Sequence, residues 1–520
     1  MVAQAAGDPG RALAAQAAVV TVGELFADTA RRLPERLAIE DGQRGLTYGE
    51  LDARVDRLCR VFAQEGLRRG DRVAILSENC IEYVECALAA AKAGLILSCQ
   101  NWRLSPGELT HCIGLIDPAM VLVSPRHAGL LDRIELSALP VLSFGDEYEA
   151  RLTAAEGGPV PPVAEPEDGL LILYTSGTTG LPKGALISHR AELARLAVNR
   201  IDAGLEPGDC FVAWAPMFHM VSIEHALHVL CLGGKVVVVD GADIDRIVDL
   251  VETQPQWWLV LMPGMVDRVV EEMERRKVRP AGVKLCGALA DLMPAQRVAQ
   301  ASRLLQAPYW NTFGSTETGM LPCAGTMFAP GEVPGRLSKR HNSLYRWRLV
   351  DAQDRDVAPG LPGEIAVRGQ TVFSGYWNAP ETNAKDFRGG WFHMGDMFRE
   401  NPDGTVDFVD RAKYLIKSGG ENIYPVEIER VLMRDPRVDD CAVVKRADEK
   451  WGEVPIAFVA VTEAGVTEGE LLAACRAELA GYKCPREIRF LPSAEDFPRS
   501  TTGKIQRQEI EKWLQAEAAP

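Results

Sequence analysis

The sequence lacks any spacing suited to a metal: its 12 cysteines are scattered with no C-x-x-C pair, and its 8 histidines form no cluster. That distribution excludes a zinc-ribbon or disulfide-framework protein and fits reduced thiols in the cytoplasm. No run of about 18 apolar residues occurs, so no segment is suited to crossing a bilayer as a helix. The Ala-rich start is broken by Asp8, Pro9, Gly10 and Gln16, which leaves no signal-peptide core. There is no cationic excess either. Against 57 Lys and Arg stand 72 Asp and Glu, a net charge of −15 that excludes a general nucleic-acid surface and a basic membrane stripe. Internal repeats, low-complexity blocks and a terminal peroxisomal Ser-Lys-Leu are all absent.

What remains is a globular composition, 47% hydrophobic and 25% charged over 520 residues, enough for about two to four structural units. Helix starts are marked where Ser or Thr is followed three residues later by Glu, because each side chain caps the other's backbone N–H. Such boxes stand at Thr21–Glu24, Thr47–Glu50, Ser105–Glu108 and Thr467–Glu470. Short apolar runs at 72–76, 120–123, 170–173, 211–215 and 236–239 read as buried strands. Ser77 is expected to cap an Ala-rich helix running to Lys92, with Gly94 just past its end. Strands alternating with helices predict an α/β fold with parallel sheets, and 157–168 reads as a surface linker.

The stretch from Tyr174 to Ala185 concentrates phosphate-binding chemistry. Gly177, Gly180 and Gly184 admit unusual backbone conformations, Thr175, Ser176, Thr178 and Thr179 offer hydroxyls, and Lys183 adds a cation. Such a loop is suited to wrapping a polyphosphate with amides, hydroxyls and one ammonium. It is not a P-loop, since the Gly–Lys spacing differs and Gly184 stands where Ser or Thr belongs.

This string resembles the signature loop of the adenylate-forming enzymes: acyl-CoA synthetases, adenylation domains and firefly luciferase. Further matches follow in the family's order. Pro216 to Met220 resembles the motif beside the acyl pocket, with His219 as gate. The string from Lys284 to Leu289 resembles the Gly-Gly-Ala turn against adenine, carrying Cys286 in place of the first Gly before Gly287 and Ala288. Trp310 to Gly319 resembles the Tyr-Gly-x-Thr-Glu motif, with Phe313 for Tyr. Gly390 to Asp396 resembles Trp-Phe-x-Thr-Gly-Asp, with Met394 for Thr. The string 410–417 resembles the hinge motif, and 497–507 resembles the string that carries the family's catalytic lysine, here Lys504.

The resemblance implies a large multi-sheet N-terminal domain (1–410) that binds ATP and the acyl group, and a small mobile α+β lid (411–520) with a β-rich, two-helix pattern. It also implies the reaction: a carboxylate attacks the α-phosphorus of ATP to give an acyl-adenylate, and coenzyme A then takes the acyl group. In this reading Lys504 bridges carboxylate and α-phosphate, Glu317 and Thr175 hold Mg²⁺, and Thr316 donates to a phosphate oxygen. The loop Thr175–Lys183 holds the β,γ-phosphates. Asn311, Thr312, Phe313, Gly314 and Ser315 belong to the nucleotide site, and Asp396 and Arg411 to the ribose. Lys413 is the hinge, and Lys417, Ser418, Gly419 and Gly420 face the thiol.

For the acyl group, the resemblance implies a pocket left open by Gly314, where acetate-specific relatives have Trp. No Arg or Lys stands between Met217 and His225, as dicarboxylate relatives require. The lining of His219, Met220, Val221, Ile223, Met262, Met265, Cys286, Gly314, Gly319 and Met320 suits a monocarboxylic acid larger than acetate, fatty or aryl. Glu224 and His225 are expected to face away from it. The leading reading is therefore an acyl-CoA synthetase using ATP, Mg²⁺ and CoA. The alternative is an acyl-adenylating enzyme that loads a carrier protein. Oligomeric state stays open, a homodimer included.

Overall fold

The computed structural model describes residues 13–14, 17–134, 139–175, 181–320, 322–418, 421–463, 465–499 and 505–518. Four sheets organise them. The six-stranded sheet runs Val141–Ser143, Met120–Val123, Arg72–Leu76, Ile96–Cys99, Gly169–Thr175, Lys183–Ser188. All its pairings are parallel except the last. The eight-stranded sheet runs Thr326–Phe328, Tyr309–Asn311, Val283–Cys286, Gln256–Leu259, Cys210–Ala213, Lys235–Val238, Leu37–Glu40, Gly45–Thr47, antiparallel only at its two edges. The strands are short and apolar because helices cover both faces, the usual setting of a parallel sheet. A four-stranded antiparallel sheet follows: Tyr345–Val350, Pro362–Gly369, Phe392–Glu400, Val406–Arg411.

The predicted helix starts form. Thr21, Thr47, Ser105 and Thr467 each make a reciprocal capping box with the Glu three residues on. Ser77 does not cap the Ala-rich helix. That helix is Ile81–Ala93, with Cys80 at its start and no side-chain cap, because Ser77 Oγ turns instead to the Glu78 carbonyl at 3.0 Å. Gly94 ends it in the left-handed conformation, φ 68°.

One hydrophobic core runs from Val22 to Val406, and its largest fully buried side chains are the indoles of Trp257, Trp258 and Trp310. Truncating one such ring to Ala typically costs about 3–5 kcal/mol, so the strands they carry form a stiff wall. Residues beyond 411 build two smaller cores of their own, one from Ile416 to Ile488 and one from Ala442 to Leu514. Their five-stranded sheet (Glu421–Ile423, Ile416–Ser418, Gly452–Val461, Val438–Asp448, with Glu487–Leu491 beside Gly452–Val461) packs three α-helices rather than the two expected: Pro425–Leu432, Glu468–Glu478 and Arg507–Ala518. The third is amphipathic only through Ile510 and Leu514, a seam too short to stand out in sequence. All 12 cysteines are free thiols, and ten of them are buried.

Candidate active site

The signature loop closes a hairpin. Gly169–Thr175 and Lys183–Ser188 pair antiparallel with Thr175 directly opposite Lys183, so both ends of the loop face the same way. This strand–loop–strand context separates it from a P-loop, which opens a helix. Ser176, Gly177, Thr178, Thr179 and Gly180 lie outside the described residues. Below the loop, the Tyr174 hydroxyl donates to the Cys112 carbonyl at 2.6 Å and anchors the strand end. Gly184 lets a second segment approach: Trp377 N–H donates to its carbonyl at 2.8 Å. A Cβ at 184 would stand 2.9 Å from Ile172 Cγ2.

That segment brings Tyr376, a residue the sequence motifs did not reveal. Lys183 Nζ sits 4.8 Å from the centroid of its ring, and its hydroxyl donates to Glu317 Oε1 at 2.7 Å. Lys183 and Glu317, 134 positions apart, are thus joined through one phenol. Burial first, and the Glu317 charge next, push the Tyr376 hydroxyl well above its ordinary pKa, so it stays a donor. Glu317 is 9% exposed and forms no ion pair among the described residues. A carboxylate with lone pairs to spare, one ring away from Lys183, fits a hard divalent cation such as Mg²⁺. Thr175, at the strand end, offers a hydroxyl on the same side as Lys183.

The turn carrying Glu317 is tight. Ser315 and Gly319 exchange backbone hydrogen bonds of 3.1 and 2.8 Å, and Phe373 N–H donates to the Glu317 carbonyl at 2.8 Å. Gly314 is obligatory here, since a Cβ would fall 2.1 Å from the Gly319 carbonyl oxygen. Phe313 packs edge-on against Phe398 at 4.8 Å. Upstream, Asn311 is held by Lys339, a fully buried lysine that donates 2.6 Å to Asn311 Oδ1 and pairs with Asp291 at 2.5 Å. Lys339 also exchanges backbone hydrogen bonds with Val406, which ties the nucleotide motif to the four-stranded sheet. Thr312 Oγ1 accepts from Leu289 N–H at 3.1 Å.

The wall at 286–288 explains the Cys. Cys286 is fully buried, with its thiol 3.6 Å from the Ala307 carbonyl, so it points into the core and takes no room from a bound base. Gly287 sits at φ 84° over Tyr309, whose ring would be 2.3 Å from any Cβ, and the Tyr309 hydroxyl donates to Ala288 O at 3.0 Å. Asp396 lies within strand Phe392–Glu400, 2% exposed, opposite Arg411 on the neighbouring strand, and their ion pair spans 2.8 Å. The Asp396 charge, then partial burial against it, then the Glu317 charge set the Arg411 pKa above its ordinary value.

His219 is the residue before helix Met220–Cys231, half-buried, its ring 4.8 Å from Phe218. Val221, Met262 and Met320 are half-buried and Met220 nearly buried, whereas Ile223, Met265 and Cys286 are buried in the core. Glu224 and His225 are buried too: Glu224 pairs with Arg195, and the His225 ring lies 5.0 Å from Trp258. Arg195 is the second contributor missed in sequence, because its partners come from three distant segments.

At the joint, Asp410 is fully buried, accepting from Arg411 N–H at 2.6 Å and Val426 N–H at 3.0 Å, and so caps helix Pro425–Leu432. The backbone at Lys413 makes one short helical turn, 412–414. Lys417 is exposed, and Ser418 pairs with Gly452. Gly419, Gly420 and Lys504 lie outside the described residues. Arg507 forks onto Glu429 at 2.5 and 3.2 Å and stacks 4.8 Å from the Tyr414 ring.

Residues 26–377 match the model of the AMP-binding enzyme family, and 427–504 match the AMP-binding enzyme C-terminal domain. An indoleacetate–CoA ligase of Aromatoleum aromaticum is 32% identical over 92% of this chain and 95% of its own length. A feruloyl-CoA synthase of an Amycolatopsis species is 33% identical over 93% of this chain and 97% of its own. Among solved structures, ATP-bound MatB from Rhodopseudomonas palustris is similar with a TM-score of 0.82 at 26% identity, over 96% of this chain and 100% of that one. The chain belongs to the AMP-binding enzyme family, in its class of AMP-forming acyl-CoA ligases that use ATP and coenzyme A.

Proposed function

We propose that this ligase activates an aryl or similarly bulky apolar monocarboxylic acid, with Glu317, Lys183, Asp396, Arg411 and Lys504 serving the nucleotide. The observation that carries the reading is the Lys183–Tyr376–Glu317 relay, which sets a phosphate-binding cation and a metal-binding carboxylate at one locus. The aryl preference is supported by relatives acting on indoleacetate and ferulate, by a Gly rather than a Trp at position 314, and by the half-buried Met262 and Met320.

In the first half-reaction the carboxylate attacks the α-phosphorus and the α–β bridging bond breaks, with the electron pair leaving on pyrophosphate. The chain's task is to hold reactants in line and neutralise charge. Lys183 takes the β,γ-phosphates at the hairpin mouth, and Asp396, paired with Arg411, accepts from the ribose hydroxyls. Glu317 and Thr175 would hold Mg²⁺, which would supply charge neutralisation at phosphate oxygens. In the second half-reaction the CoA thiolate adds to the acyl carbonyl and AMP departs. As the resemblance implies, Lys504 serves the first step, and the unit 411–520 rotates about Lys413 between the two steps so that 418–421 serve the thiol. The boundary at 410/411, a cytoplasmic location fitting twelve free thiols and a homodimer belong to the same proposal.

The test is a panel of aryl, alkyl and dicarboxylic acids assayed for AMP and acyl-thioester with and without CoA. The reading requires CoA-dependent thioester, fastest with an aryl monocarboxylate. AMP release that ignores CoA and needs a carrier protein would overturn the acceptor, and preference for acetate or a dicarboxylate would overturn the pocket.

A further inference from the structure

Beneath the turn that carries Glu317 lies a buried ionic cluster that the reaction above does not use. Helix His189–Asp202 contributes Glu192, Arg195 and Asn199, and helix Met220–Cys231 contributes Glu224, His225 and His228. All six are at most 3% exposed. The Arg195 guanidinium addresses three segments at once. Its Nε donates to the Thr371 carbonyl at 3.0 Å, its Nη2 to the Thr316 carbonyl at 3.1 Å, and its Nη1 to Glu224 Oε1. Its stem lies against Gly319, where a Cβ would stand 2.8 Å from Arg195 Cδ. Thr316 and Glu317 are adjacent, and Thr371 precedes the segment that supplies Tyr376. Glu224 stands on the helix that begins directly after His219.

We propose that Arg195 and Glu224 are positioning residues, which rest on the function proposed above: the rigid guanidinium fork fixes the Thr316–Glu317 backbone against segment 371–376, and Glu224 fixes the fork. The chemistry requires this pair. A lysine offers a mobile point charge and no planar fork, so it cannot serve three acceptors in fixed directions. A buried ion pair is a poor way to add stability, since well-packed apolar residues of similar volume often do as well or better. The pair is therefore best explained by the carbonyls it aims at. The neighbouring Glu192 and His228, 3.1 Å apart, form a second couple on the same two helices, and Asn199 meets the other His228 nitrogen at 3.1 Å.

The discriminating variant replaces both charges with apolar residues, Arg195→Met with Glu224→Leu, because it removes the fork without leaving a buried charge alone. Its readouts are the thermal midpoint, MgATP affinity by calorimetry, the Mg²⁺ concentration giving half-maximal rate, and ATP–pyrophosphate exchange. We expect a midpoint near wild type, together with weaker MgATP binding, a raised Mg²⁺ requirement, and exchange lowered about 10- to 100-fold, as for a catalytic group displaced by about 1 Å. Arg195→Lys should not restore them. A folded double variant with wild-type Mg²⁺ requirement and exchange would overturn the proposal. Should that variant not fold, Arg195→Met with Glu224→Gln, which also removes the fork and leaves no charge unpaired, carries the same comparison. MgATP affinity needs no acid, so wild-type failure with every acid would count against the proposed function and leave this test intact.

Discussion

The turn at 313–320 and the joint at 410–418 are built on opposite plans. The turn is pinned from every side: Phe373 and Arg195 hold its carbonyls, Tyr376 its carboxylate, and Gly314 leaves no room to slide. The joint is held by a buried carboxylate, Asp410, by the Arg411–Asp396 pair, and by Arg430 donating to the Phe408 carbonyl at 2.9 Å. Past it, separate cores take over. The turn is cross-braced within one core, whereas the unit proposed to rotate is joined, among the described residues, through Asp410, Arg411 and Arg430, with Arg399 and Glu427 3.9 Å apart. Preorganisation and motion are thus divided between regions rather than traded within one.

The division can be broken most sharply from the moving side. Lys504→Ala should lower adenylation at least about 100-fold, in the range of a lost electrostatic donor, yet leave thioester formation from supplied acyl-AMP nearly intact. Equal loss in both half-reactions, measured separately, would remove the division of labour. At the joint, burial pushes the Asp410 carboxyl up to about 6, with Arg507 pulling the other way. The folded state therefore keeps a proton that the unfolded chain, with an ordinary value of 3.8, has already released. This contribution makes stability fall as pH rises from about 4 to about 6, by roughly 2–3 kcal/mol at most. Asp410→Asn should lack that slope, and urea unfolding of both proteins across the range checks it; a constant difference would refute the assignment. The smallest effect is expected at the brace. Tyr376→Phe loses one hydrogen bond to a charged group, about 1.5–3 kcal/mol, and should raise the Mg²⁺ requirement more than the KM for the acid.

Most of the framework was readable because it rests on local physics. Capping boxes at Thr21, Thr47, Ser105 and Thr467 are completed within four residues, and Gly94 ends its helix by its own φ. The Ser77 cap failed because two further polar neighbours, Glu78 and Cys80, compete for the same hydroxyl. The hinge, ribose and metal candidates came from motif order, and the structure brings Asp396 to Arg411 and Lys183 to within one ring of Glu317. Tyr376, Arg195 and Lys339 were invisible for one reason. Each acts through partners far away in sequence, Arg195 across 121 positions to Thr316 and Tyr376 across 59 to Glu317, and no periodicity encodes such a meeting. Ile223, Met265 and Cys286 are buried in the core, and adjacency to a motif does not tell which way a side chain turns.

The cysteine inventory gives the unit beyond residue 411 an optical address. Burial pushes eleven of the twelve thiols up and out of the reactive range. Cys484 is half-exposed and lies in the unit proposed to rotate, beside strand Glu487–Leu491. A maleimide dye added to the native chain should settle there first, so rotation becomes visible by fluorescence in an unmutated protein.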